Sequence, residues 1–235
     1  MYGLHVKSAS GAAHAAAASA DAHAILAAPM TDALRTRRTP TQERSRRTVR
    51  RILDAAEAIV GESGADAATT RAIAERAGVS APSLYRFFAD RDEILDRLLS
   101  TMLADLDRHT EEMEATWEVA SIREFVSREL DLHVAYYEAH PSYVKLWFGG
   151  RISPTVVTEV HNRNRTLAHR ARSAMQTSGL IGPDAPESAF VLLVELGDRV
   201  LDLAFREQPN ADRAVIEHGR DALSAYLERL AAASR

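Results

Sequence analysis

The sequence predicts an all-α protein, with an N-terminal three-helix head followed by a longer helical body. Three observations carry this. Apolar residues recur at i, i+3, i+4 and i+7 between nearly every pair of turn signals, and no stretch alternates with period two for long enough to make a strand. Helix starts and stops are marked by Ser, Thr, Asp and Pro before the apolar runs and by Gly after them. The chain has 235 residues, enough for one or two domains with a substantial core.

Residues 1–38 are rich in Ala, Ser and His, with Gly3, Gly11 and Pro29 scattered through them and no sustained apolar face, so they are expected to be disordered. Lys7 is the only cation near the start, and Asp21, His14 and His23 interrupt the apolar stretch, which argues against a secretory signal; Met30 offers an alternative start. His5, His14 and His23 recur every nine residues, a spacing attributed to chance, and no metal or other cofactor is assigned. The first helix is expected from about Thr41, after a Thr39-Pro40 start, with Val49, Ile52, Leu53, Ala56, Ile59 and Val60 on one face and Gly61 and Gly64 ending it.

The stretch Thr69–Leu99 is the most informative. Ala72, Ile73 and Ala77 give a short helix an apolar face, and Gly78 stops it. Ser80 can cap the next helix, whose first turn tolerates Pro82, while Leu84, Phe87 and Phe88 anchor it. Asp90, three residues before Glu93, starts a third helix with a capping-box pattern. Helix, Gly-containing turn, helix is the helix-turn-helix arrangement, although plain helical packing produces the same geometry. The residue types favour nucleic acid: Ser80, Ala81, Ser83, Tyr85 and Arg86 leave small or hydrogen-bonding groups off the apolar face, where a helix chosen for stability carries Glu and Lys.

Charge agrees once it is divided. The chain is −4 overall, yet Arg35–Arg51 holds eight arginines against a single acid, Glu43. A basic segment joined to an acidic body is the footprint of a chain that touches phosphate at one end. A solvated basic helix start is the other reading, and adjacency to the helix-turn-helix favours DNA.

The third helix of this stretch carries Ile94, Leu95, Leu98, Leu99, Met102, Leu103 and Leu106 and is expected to run to about Trp117. The body then reads as a helix over about Ser121 to Ala139, a short one from Pro141 through Trp147 closed by Gly149-Gly150, and a helix of about 24 residues from Ser153-Pro154 to Gly179. Asp184 and Glu187 suggest a capping box for the next helix, with Phe190, Leu193, Val194, Gly197, Val200, Leu201 and Ala204, broken by Pro209. The last carries Val215, Ile216, Leu223, Tyr226, Leu227 and Leu230. There is no apolar run of about 18 residues, so no membrane partner is expected. The absence of cysteine suits a cytoplasmic protein.

Thr69, Thr70, Arg71, Ile73, Ala74, Ala77, Gly78, Val79, Ser80, Leu84, Tyr85, Phe88, Arg91 and Leu95 form an ordered set. It resembles the DNA-binding domain of the TetR family of transcriptional regulators, over roughly Thr41 to Leu99. The remainder resembles the family only in its helix pattern, and Arg91 stands where the family often has Lys. After the tail over 1–38, the resemblance implies a DNA-binding domain over 39–99 and an effector-binding and dimerisation domain over 100–235. It makes Thr70, Tyr85 and Arg91 candidates for phosphate contact, with the helix start after Asp90 as an anion site. Arg71, Ser80, Ala81, Pro82, Ser83 and Arg86 become candidates for the groove, with Arg46, Arg47 and Thr48 adding backbone contacts.

It also implies a homodimer built on the last two helices, whose apolar faces are wide and whose Gly197 permits close approach; Phe190, Val194, Gly197, Leu201, Leu223, Tyr226 and Leu230 are the interface candidates. A small hydrophobic or amphipathic effector is expected among the aromatic residues Trp117, His133, Tyr136, Tyr137, Tyr143, Trp147 and Phe148, with Arg151, although such a set equally suits a plain core. The chain lacks HExxH, a G-x-S-x-G elbow, a G-x-G-x-x-G fingerprint and a P-loop, so an enzyme is not expected. The expected function is a repressor that binds a palindromic operator in double-stranded DNA and is released by the effector, with an activator, or a helical dimer without ligand control, as alternatives.

Overall fold

The computed structural model describes residues 40–149, 153–207 and 210–234. Within them are nine α-helices: α1 Pro40–Ser63, α2 Thr70–Ala77, α3 Ala81–Tyr85, α4 Arg91–Glu114, α5 Ile122–Ala139, α6 Pro141–Trp147, α7 Pro154–Thr177, α8 Glu187–Phe205 and α9 Arg213–Ala233. A 3-10 turn, Ala65–Ala67, links α1 to α2, and the described residues contain no strand. The all-α expectation and the head-then-body order stand. The tail expected to be disordered, with its three histidines and Arg35, Arg37 and Arg38, lies outside the described residues, as does Arg151.

In the head, α1 packs on α2 and α4. Ile52, Ala56 and Val60 meet Ile73, Leu84 and Ile94 in a core from which water is fully excluded. In the body, α8 lies between α7 and α9, and α9 returns onto α5. Arg220, buried on α9, donates to Asp131 on α5 at 2.8 Å. The short α6 joins head to body. Its Ser142 hydroxyl donates to Glu57 at 3.2 Å, and its Lys145 ammonium donates to the Gly61 carbonyl, so α1 is held at two points by the helix that follows α5.

Helix boundaries follow local chemistry, and where expectation and structure differ the cause is local too. α1 runs through Gly61 to Ser63, because a helix tolerates a glycine when both flanking turns are packed; Gly64, at φ 83°, is the residue that ends it. α4 stops at Glu114, short of Trp117, because the N–H groups of Thr116 and Trp117 turn back onto Met113 and Glu114 at 3.0 Å each, a tight closing turn. The capping box expected at Asp184 and Glu187 does not form. Pro186 occupies the cap position with extended backbone, which makes Glu187 the first helical residue rather than the third. Ser121, Ser153 and Asp212 cap α5, α7 and α9 with their side chains.

Candidate nucleic-acid interface and effector cavity

Three capping devices set the angle between α2 and α3. Thr69 accepts from the Ala72 N–H at 3.2 Å and starts α2. Gly78, at φ 61°, ends it in the left-handed conformation, and the Val79 N–H reaches back to the Ala74 carbonyl at 3.0 Å. Ser80 then accepts from Ser83 N–H at 3.3 Å to start α3. Arg51 reinforces the turn from beneath, donating to the Ala77 carbonyl and, at 2.9 Å, to that of Gly78. One of the basic cluster's arginines therefore holds the turn rather than reaching outward.

Leu84 fixes α3 by full burial, and Ala81, Pro82, Tyr85 and Arg86 are left exposed, with Ser83 half-buried. Tyr85 is 53% exposed, unusual for a tyrosine one residue from a fully buried leucine. Its hydroxyl lies 3.3 Å from the Thr70 hydroxyl across an open groove lined by Thr70, Arg71, Ala74, Glu75, Ala81, Leu84 and Tyr85. The two hydroxyls expected on phosphate thus stand together, and Arg71 lies exposed on the same groove. Arg86 packs its guanidinium over the Phe87 ring at 4.8 Å. On α1, Arg46 is half-buried, Arg47 lies 3.9 Å from Glu43, and the Thr48 hydroxyl donates to the Arg44 carbonyl at 3.0 Å.

Arg91 is placed differently from its expected outward role. Its Nε donates to Ala68 O at 3.2 Å and its Nη2 to Ala65 O at 2.6 Å, with Asp66 and Asp92 at 3.7 and 3.6 Å. The guanidinium clamps the 3-10 turn to the start of α4. That helix start is already occupied by acids, since Asp90 accepts from the Glu93 N–H at 2.9 Å and Glu93 from the Ala89 N–H at 2.6 Å. Two carboxylates on those donors oppose a phosphate there.

In the body, the aromatic residues expected to wall a pocket instead pack on one another. Tyr137 lies 4.9 Å from Tyr143, 5.9 Å from Phe148 and 5.4 Å from Phe205 between ring centroids, and Trp147 stacks beside Tyr143 at 6.1 Å. Burial pushes the Tyr136 hydroxyl up to about 12 and that of Tyr137 further. Trp117 sits apart, with the Arg128 guanidinium 5.9 Å over its ring. Edge and stacked contacts satisfy these rings as core.

The cavity lies elsewhere, among α4, α5, α7, α8 and α9, with a volume of about 100 Å³. Of the expected pocket residues that are described it includes only His133; Leu130, Leu193, Val194, Gly197, Leu201 and Leu223 are among its apolar walls, and Glu114, Glu129 and Asp198 are its acids. His133 Nδ1 meets the Glu129 carbonyl at 2.8 Å, and burial lowers the imidazole to about 4, so it is neutral at pH 7. Burial first, then the neighbouring Glu114 charge, hold the Glu129 carboxyl well above the ordinary range. Asp198 is likewise raised by burial, opposed by the Arg163 charge and by Asn164, whose amide donates to it at 2.9 Å. These acids are missed by a search for aromatics, although their phase betrays them: Glu129 falls three residues after buried Val126 and four before His133.

The expected interface residues divide in the same way. Phe190, Leu201 and Leu223 are buried within the chain itself and offer no area to a second copy. Val194 and Gly197 line the cavity, Leu230 is half-buried against the core, and the Tyr226 hydroxyl donates to the Ala189 carbonyl at 3.3 Å. The outward apolar face of α8 is Leu192, Leu196 and Leu203, at 47%, 40% and 46% exposure. The close approach between α8 and α9 occurs at Gly219, where a Cβ would stand 2.3 Å from Val200 Cγ1; at Gly197 it would meet nothing.

A helix-turn-helix with its second helix open to solvent, carried on a cavity-containing helical body, is the architecture of a DNA-binding regulator. A family model described as bacterial regulatory proteins, tetR family, matches residues 52–98, and one described as tetracyclin repressor-like, C-terminal domain, matches residues 121–227. The crystal structure of a TetR-family transcriptional regulator from Streptomyces coelicolor is 30% identical, with a TM-score of 0.60 over 79% of this chain and 98% of that one. The tetracycline repressor protein class A from transposon 1721 of Escherichia coli is 41% identical over 59 residues; this match spans 25% of the present chain and only 27% of that relative's length. A TetR variant from Acinetobacter baumannii AYE, in complex with minocycline, shares the fold at 22% identity and a TM-score of 0.54 over 77% of this chain and 92% of that one. The chain belongs to the TetR family of transcriptional regulators, which are non-enzymatic DNA-binding proteins. Among the described residues, no helix is long and apolar enough to cross a membrane.

Proposed function

We propose that the chain is a repressor that binds a palindromic operator as a homodimer and leaves it when a small molecule enters the body. The observation that carries this is the open groove of α2 and α3, with Tyr85 and Thr70 paired at its edge and Arg71 beside them. Hydroxyls at that edge fix the head on phosphate, while Arg71 and the exposed face of α3 supply base contacts. A single short recognition helix reads too few bases to be specific, and a two-fold pair reads two half-sites. The leucine face of α8 supports such a pair, because a row of exposed leucines at helical spacing marks a surface that gains from burial. Repression is favoured by the relative matching the head, which is named a repressor, and release by the cavity in the body.

The test is a gel-shift with the DNA upstream of the chain's own gene. The wild-type chain retards it, and Tyr85→Ala abolishes the shift while gel filtration still shows a dimer. A Tyr85→Ala protein that binds normally contradicts the placement of the interface.

A further inference from the structure

We propose that the body cavity takes a compact amphipathic cation, an alkyl- or arylalkylammonium ion. Its nitrogen sits against Glu129 and Asp198, and its apolar part lies along Phe125, Val126, Leu130 and Leu193; the assignment rests on the effector reading above. Three observations lead to it. First, the ionisable groups lining the cavity are Glu114, Glu129, His133 and Asp198, with no Lys or Arg lining it among the described residues. Second, the cations that act on these acids are held by other carboxylates, although Arg163 Nη2 is left without a hydrogen-bond partner among the described residues. Arg163 donates to Asp107 at 2.6 Å, and Arg170 donates to Glu111 at 2.9 Å and also to Glu114.

Third, Glu129 and Asp198 have no Lys or Arg within ion-pairing distance among the described residues. Glu129 meets the neutral His133 ring at 3.8 Å and the Glu114 carboxyl, and Asp198 accepts from the Asn164 amide. Two half-buried carboxyls therefore stand against apolar walls with the Arg163 and Arg170 charges acting on them only from beyond ion-pair distance, an arrangement that costs stability. An ammonium ion supplies a positive charge at contact distance and leaves its hydrocarbon on the leucines. A carboxylate ligand adds negative charge to an acidic site, and an alcohol leaves both acids uncompensated. The cavity, at about 100 Å³, is several times what one water needs and suits a short chain or a single ring.

The experiment melts the full chain at pH 7.5 with primary alkylamines of four to ten carbons and phenylalkylamines, beside alcohols and carboxylates of the same skeletons. Amines are expected to raise the Tm with dose, alcohols to act about tenfold more weakly, and carboxylates not at all. Glu129→Gln and Asp198→Asn are expected to weaken the amine response about tenfold while DNA retardation is unchanged. Glu129→Gln replaces a buried acid by a neutral isostere, so folding is not at risk. An absence of amine response overturns the proposal, as do alcohols or carboxylates that match the amines with Glu129→Gln indifferent. If alcohols or carboxylates bind and release DNA, the effector reading survives and only the charge assignment falls. If amines bind as expected but DNA is not released, the cation site stands and ligand control falls; if nothing binds while DNA is still retarded, both fall.

Discussion

Arg91 separates two roles that look alike in sequence. An arginine at the start of a helix beside a DNA-reading element suits phosphate, yet here its Nε and Nη2 go to Ala68 and Ala65. Arg91→Ala is therefore expected to lower stability by about 1–2 kcal/mol in urea unfolding, through loss of charge-assisted bonds to the part-buried Ala68 and Ala65 carbonyls. It should weaken DNA binding only as far as the loop before α2 loosens. A variant of full stability with lost DNA affinity would restore the phosphate role. His133 makes a second prediction at this scale. Its imidazole titrates near 4 in the folded chain against an ordinary 6.5, because burial disfavours its charged form. The unfolded chain takes up that proton between those values and the folded chain does not, so stability falls as pH drops through the window. Between pH 7 and 5 the wild type should lose about 2 kcal/mol relative to His133→Gln, read as the change in their urea-midpoint difference. An unchanged difference would mean that the ring is not held neutral. What was legible here was residue type. That Tyr85 and Thr70 belong together followed from the motif, whereas which donors Arg91 spends depends on two carbonyls 23 and 26 residues away.

Helix identities and most boundaries were legible because their causes are local: Ser80, Asp90, Ser121 and Ser153 each cap the helix they precede. What lay beyond local reasoning was which side of each helix meets which neighbour. α8 is apolar on both faces, with Phe190, Leu193 and Leu201 inward and Leu192, Leu196 and Leu203 outward, and periodicity alone does not say which row goes to the core. The aromatic residues of α5 and α6 mislead for the same reason, since rings that wall a pocket and rings that fill a core share one spacing. Glycines give a sharp test at this scale. Gly219→Ala drives a methyl into the stiff Val200 side chain and should cost about 1–3 kcal/mol. Gly197→Ala meets open space and should be neutral or stabilise α8 by up to about 1 kcal/mol. Equal effects in thermal unfolding would contradict the α8–α9 packing.

Across the whole molecule, the head and body share one continuous core, and α6 pins α1 through Ser142 and Lys145. A change in the cavity therefore has a packed route to the helix that carries Arg51 and its turn. The family and its DNA-binding role could be read from the ordered motif of the head. The charge chemistry of the cavity could not, because its acids converge from α4, α5 and α8 and become a site only in three dimensions. Whether two copies of this head read DNA together is decided by selection of bound sequences from a random double-stranded library. A two-fold pair of heads enriches a two-fold symmetric site with half-sites at least about one helical turn apart, and the enrichment is lost with Leu196→Asp, which puts a charge on the leucine face of α8. Enrichment of a single asymmetric half-site, or of no sequence at all, would contradict such a pair.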